Sequence, residues 1–101
     1  VGNPIEGFIE RYSIIMTLAH LPIGQWARIK RVGGQGALRR RLLDLGITPG
    51  TLVRVEKMAP LGDPILISLR GFQLTLRKEE ARHIIVEPVE NNDTDKKGGS
   101  L

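Results

Sequence analysis

Hydrophobic and polar positions alternate along most of the middle of the chain, and at one place the period changes from two to nearly four. From Gln25 to Val32, Ala27 and Ile29 share one face while Trp26, Arg28 and Lys30 share the other, as in a strand buried on one side only. Thr51 to Lys57 repeats the pattern, with Val53 and Val55 inward and Arg54 and Glu56 outward. Ile65, Ile67 and Leu69 form a further inward set, after which Gly71 turns the chain into Phe72, Leu74 and Leu76, read as the inward positions of a second hairpin arm. Between the first two strands Leu38, Leu42 and Leu45 recur at i, i+4 and i+7, which predicts a short helix with these three on one face. Gly46 stands where a residue of positive φ ends such a helix, and Pro49-Gly50 forces a turn. Lys78 to His83 is expected to form one or two helical turns, and Ile84 to Val86 a closing strand.

Five short strands, one helix crossing between the first two long ones, and frequent Gly and Pro point to a mainly β fold, a small barrel whose closure removes aggregation-prone edges. This domain is placed at residues 17–88. Residues 89–101 form a polar tail, with Asn91 to Ser100 expected to be disordered for want of anything to bury. Residues 1–16 are read as a leader, native or added, because the chain opens on Val1 and Met16 is a candidate natural start. Asn3 as N-cap, Pro4 at N1, and Ile5, Phe8, Ile9 and Tyr12 at helical spacing make a short amphipathic helix one reading of that leader.

Composition narrows the function classes. A chain of 101 residues is one domain, with little room for a buried active site. There is no cysteine, which excludes disulfides and thiolate metal sites. No stretch approaches the roughly 20 apolar residues of a membrane span and the start is unlike a signal peptide, so a cytoplasmic location is expected. Residues 16–86 hold twelve Lys or Arg against five Asp or Glu, a balance of +7, whereas residues 87–101 carry −2. The globular part therefore favours an acidic surface, a phosphate or anionic lipid.

Few residues stand out as chemistry. Gly34, Gln35 and Gly36, following Gly33, run into a helix N-terminus, a candidate anion site; but the lysine and hydroxyl of a P-loop are missing, and positive φ alone accounts for glycines there. Arg39, Arg40 and Arg41 lie in the first half of the helix, where cations are disfavoured, with Arg40 in reach of Asp44; they read as a solvated basic face or as a docking surface for acidic groups. Trp26, the only tryptophan, lies among cations and is either an interface anchor or covered by another segment. Leu61, at the tip of Met58-Ala59-Pro60-Leu61-Gly62-Asp63-Pro64, is either a rigid contact or folded back on the sheet. Glu79 and His83 share a helical face, but two ligands do not make a metal site, and His20 is not evidently near. No metal site and no catalytic residue is assigned: the serines fall in no nucleophile motif, and no enzyme activity is expected.

The order Leu21-Pro22-Ile23-Gly24, then the Gly33–Gly50 helix, then Ala59-Pro60-Leu61-Gly62-Asp63-Pro64, then Leu76-Arg77-Lys78-Glu79-Glu80-Ala81 resembles the FeoA family, over about Leu18 to Val86. The resemblance implies an SH3-like β-barrel, the small cytosolic component of ferrous-iron uptake, working beside FeoB, the membrane transporter with a GTP-binding domain. A monomer or weak oligomer, peripheral to the inner membrane through that partner, is expected. The resemblance implies no resident cofactor and leaves transient contact with Fe2+ open. Its alternatives are a basic nucleic-acid-binding module, for which the four aromatics form no stacking platform, and a metal-sensing accessory domain.

Overall fold

The alternating segments pair into one antiparallel sheet, and the computed structural model describes residues 14–90 of the chain. The proposed leader helix and the polar tail beyond Glu90 thus lie outside the described residues, whereas Val89, assigned to the tail, donates its N–H to Trp26 O at 3.0 Å. In chain order the elements are β1 (Met16–Thr17), a 3-10 turn (Leu18–His20), β2 (Trp26–Val32), α1 (Gly36–Asp44), β3 (Leu52–Met58), a 3-10 turn (Pro60–Gly62), β4 (Ile65–Leu69), β5 (Phe72–Leu76), α2 (Lys78–Ala81) and β6 (Ile84–Pro88). The sheet order is β1-β6-β2-β3-β4-β5. Hydrogen bonding alone does not close it: β1 and β5 are its edges, and the strands are joined by one shared core.

β1 is a strand that alternation did not reveal. Two residues are too few to show a period, and it is defined by pairing alone, Met16 opposite Val86 and Thr17 opposite Ile85. The other strands follow the pattern. Ala27, Ile29, Val53, Val55, Ile65, Ile67, Leu69, Leu76, Ile84 and Val86 are buried, joined by Leu18, Leu21, Leu42 and Ile47. Burying a side chain of this size is worth about 1.5–3 kcal/mol. In β2 the register against β6 shifts between Ile29 and Arg31, so the alternation slips by one residue and Val32 returns to the core.

Two inward assignments need correction. Phe72 pairs with the buried Leu69, so it lies on the expected face, yet it is 44% exposed. β5 is an edge strand, with no strand paired beyond it among the described residues. In α1 the core-facing residues are Leu42, fully buried, with Leu38 and Leu43 packed against the core; Leu45 is the C-cap and is only half-buried. Gly46 follows with φ of 99°, as the end of the helix requires. α2 is shorter than expected, four residues, because Arg82 is its C-cap and His83 leads straight into β6.

Candidate docking cleft around Trp26

Three segments that are distant in sequence meet on the outer face of the sheet beside Trp26. The antiparallel register of β2 and β3 sets Trp26 opposite Arg54 and Arg28 opposite Leu52. The Arg54 guanidinium lies over the indole, 5.8 Å from the ring centroid, and its Nε donates to the Gly24 carbonyl at 3.2 Å. Such a cation–π contact at a partly exposed site contributes about 0.5–1 kcal/mol. The indole is left half-buried, with Arg54 as one of its covers.

The connection from α1 to β3 makes the rim. Arg28 Nη1 donates to the Gly50 carbonyl at 3.0 Å, drawing that loop against β2. The third contributor is the β4–β5 hairpin. Its two turn residues, Arg70 and Gly71, both have positive φ, 50° and 86°, the conformation of a type I′ turn. This aims Arg70 at the same loop, where its Nη2 donates to Thr51 Oγ1 at 2.8 Å and Thr48 Oγ1 at 3.1 Å. Together Trp26, Arg28, Pro49, Thr51, Leu52 and Arg70 line an open cleft of about 570 Å3.

Among the described residues no carboxylate lines the cleft. Among the described residues neither Arg28 nor Arg70 makes an ion pair. Glu87 stands opposite Arg28 across the β2–β6 pair, but its carboxylate bridges Lys30 at 3.3 Å. Arg54 approaches Glu56 only at 3.5 Å, while Glu56 accepts a much closer bond from Ser68 Oγ, 2.6 Å. Arg28 and Arg70 are therefore tied to neutral oxygens, each by one nitrogen, and keep other N–H groups for a ligand.

The residues singled out from the sequence do not form one surface. Arg39 Nε donates to the Val32 carbonyl at 3.1 Å, Arg41 pairs with Glu80, and Arg40 is exposed and, among the described residues, does not pair with Asp44. The three arginines occupy the middle of the nine-residue helix, with Arg41 in its last turn, so the N-terminal dipole penalty does not apply to all of them. Arg41 shares a second cavity, of about 420 Å3 and mixed charge, with Asp63, Pro64, Thr75, Arg77 and Glu80. The loop carrying Leu61 borders that cavity. It is held by Ala59 N–H to Pro64 O at 2.9 Å, Gly62 N–H to Ala59 O at 2.7 Å and Lys78 N–H to Asp63 Oδ1 at 2.9 Å. Leu61 is 99% exposed at φ of 74° and does not fold back. Trp26 lies apart from both groups, and its cleft takes no wall from α1 or from the Leu61 loop.

Gly34 and Gly36 have φ of 89° and 39° on either side of Gln35, the N-cap, which makes no side-chain cap. Backbone conformation accounts for that glycine run. His83 Nε2 lies 3.7 Å from Glu79 Oε2, as their spacing predicted, and His20 Nδ1 contacts Thr17 Oγ1 at 2.7 Å. Among the described residues no three His, Asp or Glu side chains gather as a metal site, and no helix is long and apolar enough to cross a membrane.

Reading the sequence missed Arg70, which lines the cleft, and Arg54, which caps the indole beside it. Alternation put Arg54 outward, but only the β2–β3 register sets it on Trp26; Arg70 is marked only by the Arg-Gly pair between two strands.

Comparison with known proteins agrees with this architecture. The FeoA domain family model matches residues 16–88. A Porphyromonas gingivalis protein in which Fe(2+) transport protein A is fused to the Fe(2+) transporter FeoB is 38% identical over 79 residues, 78% of this chain and 9% of its own length. The iron(II) transport protein A of Clostridium thermocellum superposes with a TM-score of 0.70 at 43% identity, covering 73% of this chain and 46% of that one. FeoA of Stenotrophomonas maltophilia, an SH3 domain protein solved in complex with zinc, gives 0.64 at 33% identity, covering 70% and 88%. The chain thus spans less than half the length of the first two.

Proposed function

The chain belongs to the FeoA family, an SH3-like and non-enzymatic family of ferrous-iron transport, and from that premise we propose that it is an accessory subunit of ferrous-iron import that docks on the cytosolic part of a FeoB-type transporter. The observation that carries this reading is the Porphyromonas gingivalis relative, in which the equivalent domain and the transporter share one polypeptide. Fusion holds a domain at an effective concentration on the order of millimolar beside its neighbour, so even a weak contact is occupied. The globular domain is basic and exposes an open cleft beside Trp26 and the Leu61 tip, which support this reading as candidate contact surfaces.

The mechanism on this reading is a binding coupling. A docked subunit alters transport only by preferring one conformation of the transporter, and typical couplings are about 1–3 kcal/mol, a change of roughly 5–150-fold in an equilibrium. No group in the domain is needed to perform a reaction.

The test is uptake of radiolabelled Fe2+ under iron limitation in cells lacking this gene, with and without the intact chain restored. Loss of uptake on deletion and recovery on complementation is the expected outcome. Unchanged uptake after deletion would remove the reading's support.

A further inference from the structure

We propose that the Trp26 cleft is the docking site for an acidic segment of the transporter, two of whose carboxylates engage Arg28 and Arg70 while an apolar side chain between them lies on Trp26 and Leu52. The inference rests on the transporter reading above and names the surface and the chemistry of its occupant.

Charge complementarity carries the argument. Arg28 and Arg70 line one cleft with the indole, Arg54 caps the ring beside it, no carboxylate of the described residues lines the space, and the nearest acids are already engaged, Glu87 with Lys30 and Glu56 with Ser68 and Arg54. The guanidiniums are also pre-positioned. Arg28 spends Nη1 on Gly50 O and Arg70 spends Nη2 on Thr48 and Thr51, so each is oriented before a partner arrives and retains further N–H donors. Arginine is suited to this task because its planar fork accepts a carboxylate through two parallel bonds. A side chain held in place beforehand loses less freedom on binding.

The walls distinguish a peptide from a nucleic acid. Trp26, Pro49 and Leu52 supply the apolar part of the lining. A single ring already capped by Arg54 is no platform for successive bases, which single-strand binders require. The cleft also differs from the basic triplet of α1, where Arg39 and Arg41 are turned to partners within the fold.

Because Trp26 is the only tryptophan, replacing it with 5-fluorotryptophan places one fluorine resonance inside the cleft. The full chain is titrated with the purified full-length transporter in detergent, following this resonance and the affinity together. The same is done for the double variant Arg28→Gln/Arg70→Gln and for Arg31→Gln/Lys57→Gln, which removes equal charge from exposed positions outside the cleft. Circular dichroism verifies that each variant folds. The expected result is a shifted resonance, an affinity at least about tenfold lower in the cleft variant, and a change under about threefold in the control.

If the intact chain does not bind the transporter, the transporter reading fails and this inference falls with it. If it binds but the cleft variant binds equally, or the fluorine does not move, the inference alone is overturned. Displacement of the transporter by a 12-nucleotide oligouridylate with the same fluorine shift would assign the cleft to nucleic acid instead. A fluorine shift in the free protein on Asp93→Asn/Asp95→Asn substitution would assign it to the chain's own acidic end.

Discussion

Arg70 sits at φ of 50°, a conformation that costs an ordinary L-residue roughly 1–2 kcal/mol and that Gly or Asn adopts more readily. Its side chain recovers part of this through Thr48 and Thr51, about 1 kcal/mol net per hydrogen bond and less where water competes. The terms nearly cancel. Arg70→Gly is therefore expected to change the unfolding free energy by less than about 1 kcal/mol in urea titration while weakening transporter binding, so that stability and function separate at one residue. A loss of several kcal/mol would show instead that Arg70 is structural. The glycines give the opposite contrast. A Cβ on Gly34 would meet Leu38 Cδ2 at 3.1 Å, whereas one on Gly50 meets nothing within 4 Å, although both have positive φ. Gly34→Ala is predicted to cost about 1–3 kcal/mol and Gly50→Ala about 1, a ranking that thermal unfolding of the two variants checks.

At the scale of elements, α1 is anchored by little. Leu42 is its one fully buried side chain, and its N-cap makes no side-chain bond. Removing a buried leucine costs about 2–5 kcal/mol, against a total of roughly 4–11 for a domain of this size. Leu42→Ala should thus be marginal or unfolded at 37 °C, and Leu45→Ala much milder, as a melting curve of each would show; equal losses would contradict the packing described. That difference also marks how far the sequence could be read. Period two located β2, β3, β4 and β6, because those strands are buried on one face along most of their length. Phe72 misled, since alternation reports which face a residue takes and not whether another strand lies beyond it. In α1 a spacing of i, i+4, i+7 fits Leu45, but the helix ends before that residue completes the face. The cleft was half legible: Trp26 and Arg28 share a strand and a face, whereas Arg54 and Arg70 reach them through register and turn geometry, which are long-range properties.

Charge is placed unevenly along the chain, and among the described residues no carboxylate lines the cleft that Arg28 and Arg70 share. The control substitutions Arg31→Gln and Lys57→Gln reduce the net charge of +4 as much as the cleft variant does, so a general electrostatic attraction would make the two indistinguishable. Salt separates them too: at 0.15 M the Debye length is about 8 Å, which screens exposed charges at long range far more than an arginine in contact with a carboxylate. As salt rises the Arg31→Gln/Lys57→Gln variant is expected to converge on the intact chain, whereas the Arg28→Gln/Arg70→Gln variant keeps most of its deficit. The most direct measurement is photo-crosslinking in living cells, with a photoreactive amino acid replacing Pro49 on the exposed rim of the cleft. A covalent adduct with the transporter, absent from cells that lack it, is the predicted result; an adduct with other proteins or RNA but none with the transporter would contradict the account.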